Sequence, residues 1–196
     1  MKKLPGWWPK LQGSTVYAMS ISFASGRCRW VYGEIERQGC LSFKSILASG
    51  GVESAVIPLD DVLLEANSLE MAIKEALARL PVTVIRPSHV VLSVPSKHAY
   101  LGEVSVDKGE RESMIRFQIH ELMEAAAGQS EREAAFDWQV KAELSDGNVS
   151  LAVAGIDQRQ VDEILVACQT CGLKCLGITL DSVAAMNGYL QMVSEG

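Results

Sequence analysis

The segment from Val94 to Val140 constrains the fold most, because it predicts a strand, an amphipathic helix and a second strand in one uninterrupted unit. Asp107 precedes Glu110 by three residues, which is the spacing of a capping box at a helix start. The pattern predicts a helix over residues 108–127. Its apolar residues recur every three or four positions, at Ile115, Ile119, Leu122, Met123 and Ala126. The segment contains no obvious catalytic motif.

Upstream of this segment, alternating apolar residues and turn dipeptides predict an antiparallel meander of three strands. The predicted strands are Thr15–Phe23, Cys28–Glu36 and Leu41–Ala48, and Gly50 with Gly51 is expected to end the third. A helix over Ser68–Leu80 and a short apolar strand, His89–Val94, follow. A helix between strands predicts a crossover that returns the chain to the same sheet.

From Ala99 onward the predicted order is β-α-β-β-α-β, which is a split βαβ arrangement. An Asp146-Gly147-Asn148 turn joins the two middle strands as a hairpin. The second helix has a capping signal at Asp157 and a stop at Gly172. The predicted elements are Ala99–Val106, Lys108–Ala127, Ala135–Leu144, Asn148–Ala154, Gln158–Cys171 and Cys175–Leu180, with a last helix over Ser182–Val193.

Charge and composition exclude several classes of protein. The net charge of −6 and the scattered Lys and Arg residues oppose nucleic-acid binding. No run of about 18–20 apolar residues and no secretory signal is present, so we expect a cytoplasmic protein. Five cysteines, an odd number without framework spacing, agree with a reducing compartment.

The first 13 residues form a predicted N-terminal arm that carries adjacent tryptophans. Trp7 and Trp8 lie between Pro5 and Pro9 and are flanked by lysines. Such residues suit a membrane interface or a partner groove, and they can equally fold back onto the domain.

Cys168, Cys171 and Cys175 form a C-x-x-C-x-x-x-C pattern that invites a metal or redox interpretation. A closed zinc site needs a fourth ligand, and no histidine has matching spacing. Cys168 falls on the predicted buried face of its helix, so buried, inert thiols are the favoured interpretation. We therefore predict no metal and no cofactor.

No constellation of catalytic residues is apparent. The three histidines are isolated, and His120 lies on the side of the long helix that carries Arg116 and Glu124. No G-x-S-x-G elbow, Walker loop or G-x-G-x-x-G fingerprint is present. Paired acids such as Asp60 with Asp61 are explained by solvated turns, so we predict that the chain is not an enzyme.

The ordered motifs resemble the first half of the actin-like PilM and HofM proteins of type IV pilus and competence machines, which are relatives of FtsA. The matching segments lie at 90–95, 114–117, 136–140, 172–174 and 180–184, reading VVLSVP, MIRF, FDWQV, GLK and LDSVA. The resemblance implies an α/β (α+β) fold, half of an actin-like (ribonuclease H-like) fold with an inserted β-α-β-β-α subdomain. It implies subdomain 1A at residues 14–95 and 172–196, and subdomain 1C at residues 96–171.

The chain departs from the ATP-binding members in two ways. Those members carry an Asp-Ile-Gly-Ser-type loop after the first strand, whereas this chain reads Ser20-Ile21-Ser22-Phe23 and lacks the acid. The second actin-like half, with its own phosphate and adenosine loops, is not present in this sequence. The resemblance then implies that this chain does not bind ATP unless a partner completes the site.

The function that the resemblance implies is a non-enzymatic scaffold, cytoplasmic and peripheral at the inner membrane. The implied partners are the tail of a bitopic PilN-like protein and also the assembly ATPase and the polytopic platform protein. Membrane contact is indirect or through the arm. We nominate Arg116, Phe117, His120, Trp7 and Trp8 as partner-binding residues. A GspL-like domain of type II secretion and a degenerate actin-like ATP-binding protein are the alternatives.

Overall fold

A computed structural model describes residues 16–24, 27–38, 40–53, 66–126 and 134–182. These residues form eight strands and three α-helices. The strands are β1 (Val16–Ala24), β2 (Arg27–Gln38), β3 (Cys40–Glu53), β4 (His89–Val94), β5 (Tyr100–Asp107), β6 (Ala134–Glu143), β7 (Asn148–Asp157) and β8 (Lys174–Leu180). The helices are α1 (Ala66–Ala78), α2 (Glu112–Ala126) and α3 (Gln158–Thr170).

The described residues divide into two compact units. The first comprises residues 1–95 and 163–196, and the second comprises residues 96–162. The boundary between residues 162 and 163 therefore lies within α3. The sequence instead suggests a boundary after residue 171. That subdomain boundary stays a prediction.

The first unit contains a five-stranded sheet in the order β3-β2-β1-β4-β8. Strands β1, β2 and β3 pair antiparallel, which confirms the predicted meander. Strand β4 is parallel to β1, so the connection that contains α1 is the predicted crossover. Buried Leu69, Ala72, Ile73 and Ala76 lie on the predicted apolar face of α1.

The prediction that Gly50 and Gly51 end the third strand is wrong. Strand β3 continues to Glu53, and Gly50 pairs directly with Trp30 of β2. A Cβ atom added at Gly50 would lie 2.6 Å from an indole carbon of Trp30. The absence of a side chain therefore leaves room for the nearly buried Trp30 ring, and cross-strand packing overrides the glycine signal.

The second unit contains a three-stranded sheet in the order β5-β7-β6, with both pairs antiparallel. The Asp146-Gly147-Asn148 hairpin is confirmed, since Gly147 has φ +87° and the Asn148 N–H donates to the Asp146 carboxylate at 3.0 Å. The split βαβ prediction is wrong in its last strand. Strand β8 pairs parallel with β4 in the five-stranded sheet, and strands β5, β7 and β6 form a sheet by themselves.

Helix α2 begins at Glu112, four residues later than predicted, and Asp107 does not cap it. Asp107 is instead the last residue of β5 and pairs with Asn148 of β7. Its carbonyl accepts the Glu110 N–H at 3.0 Å, and Gly109 makes the turn with φ +97°. Strand pairing therefore extends through the residue that local sequence assigns to the helix.

Helix α3 begins at the predicted residue, Gln158, and ends at Thr170, one residue before the predicted end. The Arg159 N–H donates to the Asp157 carboxylate at 2.9 Å, which satisfies a donor of the first turn. Gly172 has φ +71°, and the Leu173 N–H donates back to the Cys168 carbonyl at 2.9 Å, as in a Schellman motif. Both signals act within a few residues, and both are confirmed.

Candidate partner-binding surface

One face of α2 packs on the sheet of the second unit. Ile119 and Met123 are buried with Val153 of β7, and partly buried side chains from β5 and β6 surround them. A Cβ atom added at Gly155 would lie 2.1 Å from the Met123 methyl carbon, so the bare backbone of β7 makes room for Met123. This packing fixes the rotation of α2 and therefore which side chains point outward.

The opposite face of α2 carries apolar and charged side chains that are exposed in the second unit. Phe117 is 56% exposed and Met114 is 45% exposed. Residues three, seven and ten positions apart share one side of a helix, which places Glu121 and Glu124 beside these two. We call this set the α2 outer face: Met114, Phe117, His120, Glu121 and Glu124.

Arg116 points away from the centre of this face. Its guanidinium donates to the Glu112 carboxylate at 3.0 Å. Its central carbon lies 4.9 Å from the centre of the Trp138 ring on β6. Trp138 in turn lies beside Phe136, with ring centres 6.2 Å apart. The guanidinium therefore spans α2 and the edge strand β6, and its charge is engaged by groups of the same unit.

His120 lies at the margin of the α2 outer face. Its Nδ1 is 3.5 Å from a carboxylate oxygen of Glu124, one turn further along the helix. The structure thus places Arg116, Phe117 and His120 on one helix, but each has different neighbours. Arg116 lies against Trp138, His120 lies near Glu124, and the Phe117 ring is 56% exposed. Trp7 and Trp8 lie outside the described residues.

Sequence reasoning placed Glu124 beside His120 but missed Met114, Glu121 and Trp138 as neighbours of the nominated residues. The helical spacing from Phe117 was available as a signal for Met114 and Glu121. No spacing in the sequence indicates Trp138, because its position relative to Arg116 depends on the pairing of β6 with β7.

Two cysteines of α3 and its C-terminal turn, Cys168 and Cys171, and one of β8, Cys175, are free thiols of the first unit. Cys168 is 1% exposed, and its hydrogen bond with Cys175 together with burial raises the pKa of its thiol. The thiol of Cys171 donates to the Glu70 carbonyl at 3.7 Å. Among the described residues, no group of three or more His, Cys, Asp or Glu side chains is arranged to hold a metal ion.

Burial also affects Cys28 in the first unit. Burial, reinforced by the negative charge of Glu75, raises the pKa of the Cys28 thiol to about 11. A thiolate is the reactive form of cysteine, so Cys28 is a poor nucleophile near neutral pH.

The stretch that the resemblance aligns with a nucleotide loop is part of a strand. Ser20, Ile21 and Ser22 lie within β1, where they pair with β2 on one side and with β4 on the other. Phe23 pairs with Cys28 in the same hairpin. Residues 25 and 26 lie outside the described residues.

Comparison with solved structures identifies the class of fold. The chain superposes on the PilM–PilN type IV pilus biogenesis complex with a TM-score of 0.65 at 19% identity, covering 93% of this chain and 52% of that one. The fold is therefore half of an actin-like fold with an inserted β-α-β-β-α subdomain, as the sequence predicts. The resemblance to PilM is confirmed at the level of the fold.

Two further structures match with lower scores. The cytoplasmic domain of EpsL, an inner-membrane component of the type II secretion system of Vibrio cholerae, has a TM-score of 0.48 at 15% identity, covering 83% of this chain and 55% of that one. A Bacteroides thetaiotaomicron protein with an actin-like ATPase fold and unknown function has a TM-score of 0.39 at 12% identity, covering 85% of this chain and 52% of that one. The chain thus spans about half the length of the structures it matches.

No protein-family model and no curated protein sequence matches the chain. Among the residues that the structure describes, no helix is long and apolar enough to cross a membrane.

Proposed function

We propose that the chain is an assembly component of a type IV pilus-like machine and binds the cytoplasmic tail of a PilN-like membrane protein. The observation that supports this role is the shared fold with PilM, which extends over 93% of the chain. That neighbour is itself a complex of PilM with PilN. In this proposal the chain is cytoplasmic and peripheral at the inner membrane, where the assembly ATPase and the platform protein are further partners.

The role is that of a scaffold without enzymatic activity. Ser20 stands where ATP-binding relatives carry an acid, and a serine hydroxyl is a poor substitute for a carboxylate that serves a metal ion. The tail docks on the exposed side of α2 through Phe117, with Arg116 and His120 at its margins. Trp7 and Trp8 add a contact with the membrane or with the partner.

Fluorescence anisotropy with a labelled peptide tests the partner. The peptide is the cytoplasmic tail of the PilN-like protein encoded in the same genome, and a scrambled peptide of equal composition is the control. We expect saturable binding of the native peptide only. Absence of binding at high micromolar concentration, or equal binding of both peptides, would contradict the proposal.

A thermal-shift titration with Mg-ATP tests the scaffold role. A ligand at about 100 times its dissociation constant stabilises a fold by about 2.7 kcal/mol. We expect no shift of the melting temperature with Mg-ATP. A saturable shift would instead support the degenerate actin-like ATP-binding alternative.

A further inference from the structure

The net charge of this protein resides in one unit. Residues 96–162 contain seven Lys and Arg against thirteen Asp and Glu, which is a formal charge of −6, whereas the rest of the chain contains eleven of each. The second unit is therefore acidic and the first is neutral. A partner of the second unit meets a negative potential before it makes contact, and this favours cationic segments.

Within this acidic unit, the α2 outer face combines apolar anchors with carboxylates. Phe117 and Met114 are about half exposed although the same helix buries Ile119 completely. Aromatic and methionine side chains are typical of the centre of an interface, and charged side chains are typical of its rim. The face has the composition of a small docking surface with an acidic rim.

The carboxylates of the rim determine the sign of its charge. Arg116, a cation of the same helix, is engaged by Glu112 and lies against Trp138, away from Glu121. Among the described residues, Glu121 makes no ion pair. The carboxylate of Glu124 lies 3.5 Å from Nδ1 of His120, and that histidine carries charge only when protonated.

We propose that the α2 outer face binds the basic, membrane-proximal segment of the partner's tail. An apolar side chain of that segment packs on Phe117 and Met114, and its Lys and Arg side chains lie against Glu121 and Glu124. This inference rests on the proposed function, because a membrane-protein tail is its occupant. Cytoplasmic segments next to a membrane span carry an excess of Lys and Arg, so their charge is complementary to this face.

Two other occupants are less complementary. A second copy of this chain would bring two acidic faces together, and like charges across an interface oppose association. The cytoplasmic leaflet of a membrane is itself negatively charged and would repel the second unit. A basic peptide segment is the occupant that matches both the apolar anchors and the charge.

The test measures binding of the tail peptide by fluorescence anisotropy at about 0.1 and 0.5 M salt. The Debye length falls from about 10 Å at 0.1 M toward about 3 Å at 1 M, so the higher concentration screens interactions between exposed charges more strongly. The first variant is Phe117→Ala, and the second combines Glu121→Gln with Glu124→Gln. The matched control combines Glu70→Gln with Glu75→Gln on α1, which changes the net charge equally in the first unit. A second peptide has its Lys and Arg replaced by Gln.

We expect Phe117→Ala to weaken binding by about tenfold or more, as at an interface anchor. The α2 double variant should weaken binding by about threefold or more and flatten its salt dependence, because exposed charge pairs are individually weak. The α1 control should bind like the unaltered chain, and the Gln-substituted peptide should bind poorly to every variant.

The outcomes separate this inference from the proposed function. Tail binding that both α2 variants leave unchanged overturns the inference alone, since the tail then binds elsewhere. Absence of tail binding at both salt concentrations overturns the proposed function and the inference with it. Concentration-dependent self-association that Phe117→Ala abolishes assigns the face to a second copy and likewise overturns the inference. Circular dichroism of each variant confirms that it is folded.

Discussion

The guanidinium of Arg116 lies over the indole ring of Trp138, with its central carbon 4.9 Å from the ring centre. The same guanidinium donates to Glu112 at 3.0 Å. A residue on the solvent side of α2 is thereby tied to the edge strand of its own sheet. The sequence suggests Arg116 as a partner contact, but its guanidinium is already engaged within the second unit. Phe117, by contrast, is 56% exposed.

Removing this contact should reduce stability slightly. We expect Arg116→Ala to lower the free energy of unfolding by about 0.5–1 kcal/mol, the range for an exposed cation–π contact. Urea unfolding at low salt measures the change. Arg111→Ala, at an exposed position just before α2, is the matched control, and an equal loss in both variants would contradict the role of Trp138.

The backbone of β2 approaches that of β3 so closely at Gly33 that no side chain fits. A Cβ atom added there would lie 2.0 Å from the Ser45 carbonyl oxygen, next to an irregularity in the pairing of the two strands. We expect Gly33→Ala to destabilise the fold by about 3 kcal/mol or more, because backbone atoms must move to relieve the clash.

Gly51→Ala is the control for this substitution. A Cβ atom at Gly51 would meet the Cys28 carbonyl oxygen at 3.5 Å, an ordinary contact. Thermal unfolding of both variants should show a much lower midpoint for Gly33→Ala only. Similar midpoints in the two variants would contradict the prediction, because the backbones of β2 and β3 would then move apart at Gly33 with little loss of stability.

The Tyr32 hydroxyl ties the five-stranded sheet to the segment before β4. The hydroxyl donates to the Ile85 carbonyl, and the Tyr32 ring stacks on Tyr17 with centres 6.1 Å apart. We expect Tyr32→Phe to cost about 1–2 kcal/mol, since it removes one hydrogen bond and leaves the carbonyl unpaired. Urea unfolding measures the change in the free energy of unfolding. Tyr17→Phe keeps the ring stacking and should lower this free energy less than Tyr32→Phe does. A larger loss in Tyr17→Phe would contradict the role of the Tyr32 hydroxyl.

His89 should make stability depend on pH. Burial, and then the positive charge of Lys174, lower the pKa of His89 in the folded state. The unfolded chain therefore binds the proton more readily, and stability falls as pH decreases through about 6.5, the ordinary value for histidine. The contribution is fully present above that pH and is lost toward the lower folded-state pKa.

Urea titrations between pH 5 and pH 8 check this dependence, since the ordinary histidine value of about 6.5 lies between them. The His89→Gln variant should lose part of the decline in stability at acid pH that the unaltered chain shows. An unchanged pH profile in His89→Gln would rule out His89 as its source.

Features whose causes lie within a few residues were predictable. Strand β4 has the predicted bounds, and the ends of α3 follow from Asp157 and Gly172, where a carboxylate and a left-handed backbone conformation satisfy local hydrogen bonds. The apolar spacing in α2 correctly predicts that Ile119 and Met123 are buried. The order of motifs was also sufficient to predict half of an actin-like fold.

Features that depend on distant chain segments were not predictable. Strand β3 runs through Gly50 because Trp30 covers it, and Asp107 stays in β5 because Asn148 pairs with it. The local order of elements assigns β8 to the split βαβ unit, whereas its pairing with β4, about 80 residues earlier in the chain, puts it in the five-stranded sheet, in line with the resemblance rather than with the local pattern. Each case is decided by packing or hydrogen bonding between strands that are far apart in sequence.

The candidate surface shows the same division. By itself, the sequence determined that Arg116, Phe117 and His120 lie on one amphipathic helix, because helical periodicity is a local property. Only the tertiary structure decided that Arg116 packs against Trp138 while Phe117 remains exposed beside Glu121. The physical reason is that the sheet fixes the rotation of α2, and with it the side chains that are free to meet a partner.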